Sequence, residues 1–323
     1  MSRRQVIAVL AAAFALPVSF SVSAENRWPQ KPIKLIVPYP AGAVSDFLGR
    51  QAAAVMSQEL GQPVVVENKP GAGTNIGSDM VAKASPDGYT LLLASTTNSV
   101  NMSLFPKMSY DTLKDLAPVS ILANVPNWLV VNANFPAKNV SELIAQAKKN
   151  PGDVAYASAG PGSPAHLAAE QFNRMAGVKL RNIAYKGASP AITDVMAGHV
   201  PLMFTNYAAV RGAVEAGKVR VLGVGSSTRW PSMPNVPTIA ESGVAGYEAG
   251  AWYGLMAPAG TPPEIIAKIS RALAGLRAPA MVESFRKQGA ELVLSKPDEM
   301  KQKMQAEIPY FAKLIKDAGI TIE

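Results

Sequence analysis

Short apolar runs suited to buried strands alternate along this chain with longer stretches of helical periodicity. Residues 33–37 form the first run, and Pro38 and Pro40 end it, because neither can donate to a sheet ladder. Ala41, Gly42 and Ala43 make a loop of small residues, after which Val44, Leu48, Val55 and Leu60 mark a helix. Residues 63–67 and 89–94 predict two further strands, and 119–131 is a long β-rich stretch interrupted by Pro126. Beyond Val140 the alternation is regular, with helices over 141–149, 163–175 and 188–197 and strands over 153–157, 183–185, 200–204 and 219–224. That alternation is the signature of βαβ units and a mostly parallel sheet. Residues 226–246, with Pro231, Pro234 and Pro237, read as a surface segment, and 250–256 as a return crossing between two halves. Thr261 as N-cap before Pro262 opens another helix, and 297–318 is helical.

Two stretches share one design. After the first strand, the loop Tyr39 to Ala43 leads into a helix that carries Ser45 and Asp46 in its first turn. After the strand ending near Ala157 come Ser158, Gly160 and Gly162, then Ser163 as a good N-cap with Pro164 at the first helical position. Backbone N–H groups at such helix starts favour an anion. A plain βα turn and simple capping are the competing readings. Ser95, Thr96, Thr97 and Asn98 fall at a strand's carboxyl end, where ligands of open α/β sheets sit, and capping accounts for them equally well.

The length of 323 residues suits two domains, and 48% hydrophobic against 17% charged residues excludes a disordered chain. Residues 1–24 have the form of an export signal: Arg3 and Arg4, an apolar stretch over 6–20, and a small-residue cleavage site ending at Ala24. The arginine pair also suits the twin-arginine route. With no cysteine there is no lipid attachment site, disulfide or thiol chemistry. The mature balance of 29 basic against 23 acidic residues, +6, is spread without a basic run, which supports a well-solvated surface better than a nucleic-acid one. The glycines at 71, 73 and 77 miss the dinucleotide spacing, and no P-loop lysine follows. His166 and His199 are the only histidines, so no metal motif and no cofactor is expected. Ser163 and His166 lie three apart on one helix face, but outside a nucleophile elbow. Lys186 either pairs a carboxylate or is solvated.

Several blocks carry a resemblance: WPQKPI at 28–33 running into the first loop, VENKPGAG at 66–73 with Gly77, and DGYTL at 87–91. The Ser163/His166 loop, YKG at 185–187, PNVPT at 234–238 and Trp252 with APAGTP at 257–262 complete it. Together they make the chain, from Trp28 to its end, similar to the substrate-binding proteins of tripartite tricarboxylate transporters, the TctC-like or Bug family. It departs at Ala43, where relatives usually have a second glycine, and at Pro201 with Thr205, where they often have aspartates. The resemblance implies a two-lobed α/β periplasmic binding protein of type II-like fold. Residues 25–126 with 250–323 would form one lobe and 127–249 the inserted second, joined by two crossover strands at a hinge. It implies a carboxylate held between Tyr39, Ala41, Gly42, Ala43, Ser45 and Asp46 on one side and Ser158, Gly160, Gly162, Ser163 and Tyr185 on the other. Asp46 would fix the loop rather than touch an anion. Ser95, Thr96, His166, Lys186 and Thr205 complete the candidate set. The expected partners are a small carboxylate and membrane permease subunits, with the protein a periplasmic monomer and not an enzyme. The alternatives are a ligand sensor for a signalling kinase and a secreted hydrolase using Ser163 and His166.

Overall fold

The structure, a computed structural model, describes residues 28–322, so the expected export signal lies outside the described residues. In the first half, β1 (Ile33–Val37) pairs in parallel with β2 (Val64–Asn68) and β3 (Thr90–Ser95), with Leu35 opposite both Val66 and Leu91. Helices α1 (Val44–Leu60) and α2 (Asn75–Ala82) make the crossovers, and α3 (Thr96–Leu104) follows β3 directly. Leu48, Ala52 and Met56 are spaced four apart on α1, and all are fully buried against this sheet. Removing one such leucine or methionine side chain from water is worth about 1.5–3 kcal/mol.

The chain leaves this half along one strand of 17 residues, β4 (Leu116–Asn132). It runs unbroken through Pro126, where the sequence predicts an interruption. Pro126 pairs with Gly250, the first residue of β9 (Gly250–Pro258), just where the ladder changes partners, so its missing N–H removes little. Before it β4 pairs antiparallel with β9; after it, from Asn127, β4 pairs antiparallel with β7 (Leu202–Asn206) and β8 (Val219–Val224).

The second half repeats the plan. Strands β5 (Ala155–Ser158), β6 (Arg181–Ala184) and β7 are parallel. Helices α4 (Val140–Lys149) and α5 (Pro164–Ala176) cover one face, and α6 (Ala188–Ala197) and α7 (Tyr207–Glu215) the other. The strand from Gly250, expected as the return crossing, belongs wholly to the first half, between β3 and β4. The return is made just before it: Asn127, Ala249 and Gly225 are joined by backbone hydrogen bonds of 2.7–2.9 Å. Helix α8 (Pro263–Ala272) starts after Pro262, and the Thr261 hydroxyl turns back to the Pro258 carbonyl at 2.7 Å instead of capping.

After α9 (Pro279–Lys287), strand β10 (Glu291–Leu292) extends the first sheet beside β4. The closing helix α10 (Pro297–Asp317) lies on α3 and reaches α5 of the other half. Leu104, Leu167, Leu314 and Ile315 share one apolar cluster there, so the halves touch through packed side chains. No helix among the described residues is long and apolar enough to cross a membrane.

Candidate functional site

Helices α1, α3 and α5 each follow the carboxyl end of a parallel strand, and most of the candidates sit at their starts. The first of these starts is unusual. Ala43 stands at the N-cap of α1 and has no side chain to cap it, so the N–H groups of Val44, Ser45 and Asp46 lack both an intrahelical and a capping partner. Ala41, Gly42 and Ala43 are exposed, whereas Ser45 and Asp46 are buried.

Asp46 is fully engaged within the protein. Its carboxylate accepts from the Gly42 N–H at 3.0 Å, the Arg50 Nε at 3.0 Å and the Asn68 amide at 3.0 Å. Burial alone would raise its pKa; the hydrogen bonds from Arg50, Gly42 and Asn68 outweigh it and hold the group below the usual carboxylate range. Asn68 also donates to the Tyr39 carbonyl at 3.1 Å, so Asp46 and Asn68 together fix the loop. The Tyr39 hydroxyl meets Ser95 Oγ at 2.6 Å and Thr97 Oγ1 at 3.3 Å, tying the first loop to the start of α3.

That third start is capped from within. Ser95 accepts from the Thr97 N–H at 3.1 Å, and Asn98 reaches back to the Ser95 N–H at 2.9 Å, a capping box. Thr96 Oγ1 accepts from the Trp252 N–H at 3.0 Å, which joins α3 to β9.

Across the junction, the Ser163 loop is also partly self-satisfied. Ser163 Oγ accepts from the His166 N–H at 3.4 Å, and the Gly162 N–H donates to His166 Nδ1 at 3.2 Å. Pro164 brings no donor. Of the two helix starts read as alike in the sequence, only α1 therefore offers a bare set of N–H groups; the second loop presents hydroxyls, Ser158 being fully buried and Ser163 half-buried. Gly160, with φ +117°, turns the loop beside the Tyr185 carbonyl.

His166 is neutral at this site: burial lowers its pKa, with Glu170 opposing. Since Nδ1 accepts, the ring proton is on Nε2, 3.5 Å from the Asn182 amide. The buried Asn182 oxygen has no other hydrogen-bond partner, so the amide serves the ring best with that oxygen turned toward Nε2. Neither ring nitrogen bonds Ser163 Oγ, and that oxygen meets a backbone N–H instead. Ser163 is thus not an activated nucleophile.

The remaining candidates are spread around the second half. The Tyr185 hydroxyl donates to Asp194 at 2.6 Å, and burial with that carboxylate pushes its pKa up to about 12. Lys186 is exposed. Thr205 is buried on β7 opposite Trp128 of β4. Sequence reasoning missed three features. Asn206 caps α7 at the Ala209 N–H. Gly187, with φ +112°, opens α6 with no side-chain cap, and its signal was the glycine just ahead of Pro190. Asn127 carries the third: its amide donates to the Pro164 carbonyl at 3.2 Å, linking the crossing strand to the Ser163 loop.

A cavity of about 700 Å³ lies beside the crossing segments, between α5 and α10. Among the candidates only Thr96 and Gly162 line it, and the α1 start does not. Its charged lining is Arg174, Glu248, Glu291, Lys303 and Glu307, with Lys303 paired to Glu307 at 3.1 Å. That balance is net negative, so a carboxylate is better served at the bare start of α1.

A family model described as "Tripartite tricarboxylate transporter family receptor" matches residues 48–320. Protein BugT of Bordetella pertussis strain Tohama I is 39% identical over 320 residues, covering 98% of this chain and 97% of the relative. Among solved structures, R. palustris Rpa4515 with adipate has TM-score 0.81 at 36% identity, over 91% of this chain and 99% of that one. MatC (Rpa3494) from Rhodopseudomonas palustris with bound malate has TM-score 0.76 at 32% identity, over 89% of this chain and all of the other.

Proposed function

The chain belongs to the tripartite tricarboxylate transporter receptor family, and on that premise we propose that it is an exported receptor that captures a small carboxylate between its two lobes. The lobes are residues 25–126 with 250–323, and 127–249. The observation that carries the reading is the start of α1: uncapped N–H groups at the positive end of a 17-residue helix, beside a carboxylate already satisfied by Arg50, Gly42 and Asn68. With Asp46 so engaged, the loop has hydrogen-bond donors at the start of α1 to offer a ligand.

The hydroxyls of Ser158 and Ser163 supply the opposing side. Relatives bound to adipate and malate support a ligand of mono- or dicarboxylate class. The signal-like residues 1–24 support export with cleavage after Ala24 to a monomer in the periplasm, where it delivers ligand to membrane permease subunits.

A thermal-shift and calorimetry panel of mono- and dicarboxylates against sugars tests this. A carboxylate at a hundred times its Kd should stabilise the fold by about 2.7 kcal/mol. Stabilisation by sugars with none by any carboxylate would overturn the reading.

A further inference from the structure

We infer that His166 is a positioning residue for ligand capture: its unprotonated Nδ1 holds Gly162 against Leu104 of the other half, so taking up a proton on the ring weakens binding. This rests on the carboxylate reading above. It adds a residue that sets the shape of the binding loop without touching the ligand, and a dependence on the acidity of the surroundings.

The Gly162 N–H has His166 Nδ1 as its acceptor at 3.2 Å, in a buried setting. A Cβ on Gly162 would overlap the Leu104 side chain of α3, so at this point the loop is in direct contact with the opposite half. A protonated imidazole donates at both nitrogens and accepts at neither. The Gly162 N–H would then face a second donor, and a buried donor without an acceptor is costly. The loop must move, and with it the Ser163 hydroxyl and the contact to Leu104.

The groups facing the ring decide which way its affinity for a proton is moved. On α5 itself, Glu170 is the only charged neighbour that bears on the ring, and it favours the proton. That carboxylate is already held by the Tyr156 hydroxyl of β5 at 2.6 Å and by Asn173 at 3.3 Å. From β6 the ring meets the neutral Asn182, from β5 the ring of Tyr156 at 6.2 Å, and from the loop the Gly162 N–H. Burial opposes the charged form, which keeps His166 neutral near pH 7. By linkage, a ligand that needs the neutral ring binds more weakly once pH falls far enough to protonate it, below the ordinary histidine value.

The test compares the wild type with His166→Asn and His166→Leu. Asparagine places an oxygen where Nδ1 sits and cannot titrate; leucine removes the acceptor. Adipate and malate are the probes, with affinities measured from about pH 7.5 to about pH 5.5, a range in which most of their carboxylate charge persists. The wild type should weaken by about fivefold or more, at the lower end of typical coupling between sites. His166→Asn should bind measurably with a flat profile, and His166→Leu should bind poorly throughout.

A ligand-free measurement runs in parallel. The Gly162 amide resonance of the wild type should titrate together with the His166 ring. A Gly162 amide indifferent to His166 protonation, or the same pH profile in His166→Asn, overturns the inference. If neither probe binds the wild type at about pH 7.5, that result counts against the carboxylate reading, and the amide titration still decides the role of His166.

Discussion

Gly162 of the second half lies flush against Leu104 of the first, with no space between them for a Cβ. Gly162 also has φ +68°, a conformation that side-chain-bearing residues rarely adopt. The contact belongs to an apolar cluster that includes Leu167 of α5 and Leu314 of α10, so the Ser163 loop and the junction of the halves are one packed unit.

Gly162→Ala should therefore act in two ways. The backbone strain costs about 1–2 kcal/mol, and the added methyl pushes Leu104 away. In a Leu104→Ala background the second effect vanishes. A double-mutant cycle by chemical denaturation should show that coupling; strictly additive values would mean that the contact does not form in solution.

Ala43→Asp should trade function for stability. A capping carboxylate at the start of α1 is worth about 0.5–2 kcal/mol relative to alanine, and it takes the N–H groups that the ligand would use. We expect a higher melting temperature together with carboxylate affinity reduced at least about tenfold. Unchanged affinity in a stabilised variant would remove the α1 start from the site.

Asp46→Asn tests the loop's internal scaffold. The wild-type carboxylate, with its lowered pKa, contributes stability above about pH 4 that is lost as pH falls through the native value. The sign follows because the unfolded state takes up the proton first. Near neutral pH the variant should lose about 1.5–3 kcal/mol, the worth of a hydrogen bond to a charged group, and part of its acid sensitivity. An unaltered acid limb would show that other carboxylates dominate there.

Gly42→Val and Lys186→Ala separate backbone capture from a salt bridge. A Cβ on Gly42 would meet nothing within 4 Å, so there is open space in the fold where the substitution begins. Its φ of +84° still strains a branched residue, and the isopropyl group stands over the exposed loop. Lys186 is exposed and contributes about 1 kcal/mol or less. Calorimetry should find binding abolished in Gly42→Val and nearly retained in Lys186→Ala; the reverse order would mean that a lysine holds the anion.

The periodic pattern was enough to place most of the helices and strands within a few residues, because apolar spacing is a local property of the chain. Residues 188–197 and 219–224 have the bounds read from the sequence. Partner choice was not local. Pro126 looked like a break, yet β4 continues through it because its ladder changes partners there. The run from Gly250 looked like a crossing, yet β9 inserts between β3 and β4.

The same limit governs the site. By itself the sequence determined where the helix starts and small-residue loops fall, since proline, glycine and capping residues act on their own backbone. It also suggested that Asp46 braces its loop. The capping role of Ser163 was legible too, whereas only the tertiary structure decided that Asn68 joins Asp46 in holding the first loop and that Tyr185 is tied to Asp194. It alone brought Gly162 against Leu104 and Asn127 against Pro164. A helix start advertises its donors and its local cap in sequence, but the contacts that tie it to the rest of the fold depend on side chains brought together when distant strands and helices pack.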